Sequence, residues 1–212
     1  VSCSFAFTLA FMYLVPQELQ RGLGMSSTLV GLLMLPGGIV NAVCTLMAGR
    51  LFDRHGARVL VWIGVVMAAI GGALFFAIGV DSGVVLFLAA HIIVMVGIPF
   101  IQQSAQSAAL KSLPGRMAAD GSTILNTMQQ VCGAIATAVA TCLLGLGQTG
   151  YAAGGGANAA QGFVDGSRYG YMFGLVLVAI VLVFSFMLKG GKEEPKLVPV
   201  QVDGGAVESL AV

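Results

Sequence analysis

Apolar residues in this chain come in long unbroken runs; they neither alternate nor recur on a single helical stripe. Six runs stand out, at residues 1–19, 29–48, 59–80, 84–108, 123–146 and 169–188. A helix needs about 20 apolar residues to cross a hydrocarbon core of roughly 30 Å. A transmembrane strand would be near 10 residues long and alternating. Backbone in lipid must bond internally, so the runs predict helices. The connectors are 20–28, 49–58, 81–83, 109–122 and 147–168. The expected architecture is an all-α membrane protein with six transmembrane helices in one bundle over 1–188, followed by a disordered polar tail over 189–212.

Composition points the same way. Charged residues are 9% of the chain, against roughly 25% in soluble domains. Apolar residues reach 58%, which excludes a disordered chain as well. A net charge of +1 gives no electrostatic case for nucleic acid. Cys3, Cys44, Cys132 and Cys142 sit inside apolar runs without CxxC spacing or a nearby histidine, so they read as packing residues and no metal site is expected. Val1 stands where a start methionine belongs and no basic segment precedes the first run, which suggests a truncated front end.

Basic residues set the expected orientation. With both ends of the segment on one side, that side collects Arg50, Arg54, Arg58, Lys111, Arg116, Lys189, Lys192 and Lys196. The other side has only Arg21 and Arg168, near the acids Glu18 and Asp165. Both ends are therefore expected in the cytoplasm, with Trp62 at the inner interface and Tyr169 and Tyr171 in the outer aromatic belt. Pro36 and Pro99 fall inside the second and fourth runs, where each removes a backbone bond and predicts a kink. Such a kink serves packing or borders a transport path. Gly166, Gly170 and Gly174 repeat at four-residue spacing, a face for close helix approach.

The connector after the second run carries Gly49, Arg50, Asp53, Arg54, Gly56 and Arg58, or G-x-x-x-D-R-x-G-x-R in reduced form when started at Gly49. Its glycines permit a tight turn, and Asp53 at a helix end can pair with an arginine or accept from free N–H groups. This stretch resembles the signature loop of the major facilitator superfamily. Leu32-Leu33-Met34-Leu35-Pro36-Gly37-Gly38, Asp120-Gly121-Ser122 and Asn126-Thr127-Met128-Gln129-Gln130-Val131-Cys132-Gly133-Ala134 are similar to the second half of fourteen-span drug:proton antiporters, of the lincomycin-type multidrug exporters of Gram-positive bacteria. Ala136 and Glu18 depart from that pattern. The resemblance implies the C-terminal six-helix half of a multidrug efflux transporter in a bacterial cell membrane. Its partners would be the N-terminal half of the same transporter, the lipid bilayer and small amphipathic drugs. The coupling ion would be a proton, and no cofactor is implied.

Within the spans, His91 is the central ionisable residue, suited either to proton linkage or to a neutral structural role. His91, Met95, Ile98 and Gln102 follow 4-3-4 spacing and share a helix face, with Gln106 one turn further. The resemblance adds that this fourth helix lines the central cavity. On the fifth span Asn126, Gln130, Gly133, Thr137 and Thr141 run down one side. These carboxamides are either glue between helices or the wall of a substrate path. Gly145, Gly147 and Gly150 match G-x-G-x-x-G, but after a membrane run and without a βαβ unit, so nucleotide binding is rejected. Two rivals remain. One is a self-contained six-span protein, acting as a homo-oligomeric channel or a transporter's binding subunit. The other is a membrane enzyme, ranked last because His91 has no nucleophile partner and no span holds an aspartate pair.

Overall fold

The structure is a computed structural model that describes residues 1–79, 82–114 and 117–186. The tail at 189–212 and the basic residues Arg116, Lys189, Lys192 and Lys196 lie outside the described residues. Five helical rods make the fold: α1 Ser2–Gln17, α2 Ser27–Ala77, α3 Val84–Lys111, α4 Ala118–Ala153 and α5 Ala159–Ser185. A π-helical segment, Glu18–Gly22, continues α1. Four of the rods, α2 to α5, are long and apolar enough to cross a membrane. The chain is thus an all-α, multi-pass membrane protein. α2 is interrupted at Gly56, whose φ of 77° and ψ of 167° belong to backbone open essentially to glycine alone.

The helices outrun the apolar runs at their polar ends. Residues 49–55, expected as loop, are helical. The expected 147–168 connector shrinks to 154–158, because α4 runs on to Ala153 and α5 begins at Ala159. Asn158 makes that early start possible by accepting from the Ala160 and Gln161 backbone N–H groups at 3.0 and 3.3 Å. Polarity marks where a helix leaves lipid, which is a different place from where it ends.

α1 is the hub of the packing. Phe11 lies against Phe75 of α2, His91 of α3 and Tyr171 of α5, with ring centroids 4.8, 6.4 and 6.1 Å away. Leu14 and Phe7 of α1 fill the space above Gly170 and Gly174 of α5, and Leu9 covers Gly133 of α4. The spaced glycines of α5 are therefore a close-approach face, shared by α1 and, at Gly166, by α4. Tyr171, expected in an aromatic belt, is buried at 3% exposure, while Tyr169 is exposed. The belt pattern cannot separate two tyrosines two residues apart that point to opposite sides of one helix.

α3 packs on both halves of α2. On one side a Cβ at Gly64 would come 2.6 Å from the Gly97 carbonyl, and a Cβ at Gly97 2.7 Å from the Gly64 carbonyl. Two backbones meet there with no room for a side chain. On the other side Asn41 Nδ2 donates to the Met95 carbonyl at 3.2 Å. That carbonyl is the one Pro99 leaves without its helical partner, since proline has no N–H four residues on. The carboxamide replaces the missing donor. Asn41→Ala should therefore lower the unfolding midpoint of the detergent-purified protein, by roughly 1 kcal/mol or less on the membrane hydrogen-bond scale. Adding Pro99→Ala, which restores the helical N–H, should recover most of that loss; additive losses in the double variant would show that the Met95 carbonyl is not the shared partner.

Candidate functional site

The signature stretch sits at the end of the bundle where α2 breaks and α3 finishes. Gly49, Arg50, Asp53 and Arg54 lie on helix, and Gly56 alone makes the turn before Arg58. The paired glycines read from the sequence therefore reduce to one. Asp53 also finds its partner outside the motif: Lys111 Nζ, in the last turn of α3, reaches Asp53 Oδ1 at 3.3 Å. Lys111 lies 4.4 Å above the Phe52 ring as well. Both ends of the pair are well exposed, 49% and 70%, so it contributes about 0–1 kcal/mol to stability. Arg50, Arg54 and Arg58 stay exposed around it. The arrangement ties the break in α2 to the end of α3 through a contact that is easily made and unmade.

On α3 the expected face exists and is turned into the bundle. His91 and Met95 are each 3% exposed. The imidazole and the Met95 side chain occupy the space over Gly37 of α2, where a Cβ would collide with the His91 ring. His91 also stacks on Phe11, the planes 4° apart, and its Nδ1 has no hydrogen-bond partner. A shallow, water-sized crevice beside it is lined by Leu19, Leu33, Met34, Val84, Phe87 and Leu88. Further along, Gln102 donates from Nε2 to the Thr8 hydroxyl of α1 at 3.0 Å, and Gln106 is half-buried. Pro36 and Pro99 both lie inside continuous helix.

α4 behaves differently. Gln129, Gly133, Ala136, Ala140, Leu144 and Gly147 form its buried face. Asn126, Gln130 and Thr141 are exposed, and Thr137 is half-buried beside them. Exposed on a third side are Ile124, Met128, Val131 and Ile135. At 100° per residue the polar stripe falls between the buried face and this apolar one. The first half of α2 shows the contrast, since Leu32, Leu35, Ile39, Val43 and Leu46 leave it a purely apolar outer side. Among the described residues no hydrogen bond joins the α3 glutamines to Asn126 or Gln130. Gly145, Gly147 and Gly150 lie within helical α4.

Three features were missed or misplaced in the sequence reading. Gln129, next to the expected Gln130, is the carboxamide that faces inward, at 7% exposure. Asn41 carries the α2–α3 link, and nothing in its neighbourhood marks it as a proline's partner. Glu18 is fully buried, where the reading had it merely near a span end. The Tyr171 hydroxyl donates to Glu18 Oε2, from 153 residues away in sequence. A lone glutamate in an apolar tract was the available signal, but its partner was not legible.

A family model described as "Major Facilitator Superfamily" matches residues 1–137. The lincomycin resistance protein LmrB of Listeria monocytogenes is 36% identical over 198 residues, covering 91% of this chain and 42% of that protein. LmrB of Bacillus subtilis is 35% identical over 186 residues, 85% of this chain and 39% of that protein. The multidrug efflux pump LfrA of Mycolicibacterium smegmatis is 23% identical over 130 residues, 61% and 26% respectively. The chain thus spans about two fifths of the length of the LmrB relatives it matches. With a family match across more than half of its residues and a helical membrane bundle to carry it, the chain belongs to the Major Facilitator Superfamily.

Proposed function

We propose that this chain is the C-terminal six-helix half of a proton-coupled multidrug exporter of the bacterial plasma membrane. Small amphipathic drugs would leave by alternating access between this half and an N-terminal half of the same transporter. The six crossings are α1 with its π-helical extension, the two parts of α2 on either side of Gly56, and α3 to α5. The names of the LmrB and LfrA relatives support drug export, and their greater length supports a half. Arg50, Arg54, Arg58 and Lys111 at one end of the bundle, against Arg21 and Arg168 at the other, support a cytoplasmic placement of the Gly56 turn. Proton coupling rests on the resemblance to drug:proton antiporters.

The observation that carries the reading is the polar stripe on α4. Carboxamides facing hydrocarbon are costly, so Asn126 and Gln130, exposed and without a side-chain hydrogen bond among the described residues, call for water or protein beside them. Two crevices within the bundle, beside His91 and beside Tyr171, are only water-sized, and the space in front of the stripe is open to a drug-sized ligand. His91, Met95, Gln102 and Gln106 would then hold the wall from behind, and Asn126 and Gln130 would face the substrate. In the full-length protein without its native cysteines, Asn126→Cys and Gln130→Cys should react with a membrane-impermeant thiol reagent, and bound drug should slow the reaction several-fold. Ile135→Cys, on the apolar side, should stay inert. Unreactive cysteines at both Asn126 and Gln130 would make the stripe a packing surface.

The Asp53–Lys111 pair is too exposed to hold the fold, which suits a contact that forms in one state of the cycle and breaks in the other. Asp53→Asn should leave the melting midpoint within the equivalent of about 1 kcal/mol and reduce drug export several-fold. The charge exchange Asp53→Lys with Lys111→Asp should recover part of it. Normal export by Asp53→Asn would leave the stretch with a role in topology only.

A further inference from the structure

The Glu18 carboxyl is a buried acid that apolar packing does not explain. It lies at 0% exposure where α1 passes into the π-helical segment. One oxygen accepts from the Tyr171 hydroxyl, and Oε1 has no hydrogen-bond partner. A buried carboxylate is stable only with several donors or a paired charge. Around Glu18 the supply is short. From α5, Ser167 faces it but gives its hydroxyl to the Val164 carbonyl at 2.9 Å. Arg168 is near enough to act on it, yet Nη1 is committed to Asp165 at 3.1 Å, and its buried Nε is unpaired. From α3, His91 shares a crevice with the neighbouring Leu19, and from α2 only Leu33 and Met34 reach that crevice. Arg21, on the segment itself, is exposed.

The segment is built to change. Its wide helical turn closes through the Leu23 N–H to the Glu18 carbonyl at 3.0 Å, and single π turns recur at functional sites. It leans on α5 through Gly22, which sits against Val164 and Phe163. Arg21 and Gly24, three and six residues beyond Glu18, are exposed, so water is a short local movement away. Arg168 has an unpaired buried Nε and its charge acts on Glu18 as well as on Asp165, which allows two arrangements of the same charges. In one, Arg168 holds Asp165 and the Glu18 carboxyl is neutral. In the other, Glu18 is ionised and draws on the guanidinium or on water.

Resting on the export reading, we propose that Glu18 is a proton-binding site of this half. With the carboxyl protonated, Tyr171 holds the π-helical segment to α5 by an ordinary hydrogen bond and Oε1 can stay unpaired. When the proton leaves to water, the Tyr171 bond becomes charge-assisted and Oε1 must draw a donor from Arg168 or from water, which rearranges that end of the bundle. The site stands apart from the α4 stripe and from the Gly56 turn, so it can sense protons without touching substrate. Intramembrane carboxylates that titrate do so because burial and partners differ between states.

The test is infrared difference spectroscopy between acid and alkaline buffer on the full-length protein in lipid, with drug-driven proton release followed alongside. Wild type should show the carbonyl stretch of a protonated carboxylic acid that disappears with rising pH. Glu18→Gln should remove that band and the matching proton release. Tyr171→Phe, which keeps the carboxyl, should retain the band and move its midpoint by about one pH unit, the tenfold change in proton affinity expected for one hydrogen bond. A titrating band that survives unchanged in Glu18→Gln, or a midpoint unmoved in Tyr171→Phe, would overturn the site. The export reading is judged separately, from drug efflux by wild type. A Glu18 band that titrates in a protein without efflux would keep the proton site and remove the exporter.

Discussion

In lipid a backbone N–H or C=O has no water to turn to, and the rest of this structure follows from that. It makes every apolar run a helix, and it decides where a helix can be disturbed. Pro99 is tolerated because Asn41 reaches the orphaned Met95 carbonyl from another helix. The π turn after α1 is tolerated because Leu23 closes it from within the segment. Gly56 breaks α2 at the end of the bundle lined by exposed arginines, where polar backbone has other partners. Pro99 and the π turn each come with their own donor, and Gly56 needs only the conformational freedom of glycine.

Helix association obeys a second rule, that apolar contact gains little when lipid is equally apolar. Here the helices come together by shape. Gly64 and Gly97 let two backbones touch, and the glycine series of α5 receives Leu14 and Phe7 of α1. Phe11 then joins the pieces by contacting rings on three other helices. Polar residues inside the bundle, among them His91, Gln102, Gln129 and Glu18, are spread among these close contacts.

The sequence made much of this legible, and its failures have physical causes. Long apolar runs located the helices because bilayer thickness imposes their length. Helix ends were read too early, at 147–168 above all, since a helix leaving the membrane keeps its hydrogen bonds while its side chains turn polar. The α3 face of His91, Met95 and Gln102 was legible from spacing, but spacing gives no compass bearing, and the face looks into the bundle. Asp53 was recognised as a pairing residue, whereas Lys111 was not legible as its partner, because that contact depends on where α3 ends relative to the break in α2. The same holds for Glu18 and Tyr171. Single residues advertise their chemistry, and pairs distant in sequence do not.

The placement of α1 has a consequence for how the chain is assembled. α2 and α3 are neighbours in sequence and can find each other through short loops, as Gly64 and Gly97 do. α1 emerges before them, yet the partners of Leu14 and Leu9 are on α5 and α4, near the other end of the chain. Closing so long a loop is entropically slow, and domains form largely in the order of synthesis. α1 therefore reaches its α4 and α5 neighbours only once those later helices are made. Until then Leu9, Leu14 and Phe7 lack the glycine faces of α4 and α5 that cover them, and Phe11 has only its ring partners on α2 and α3.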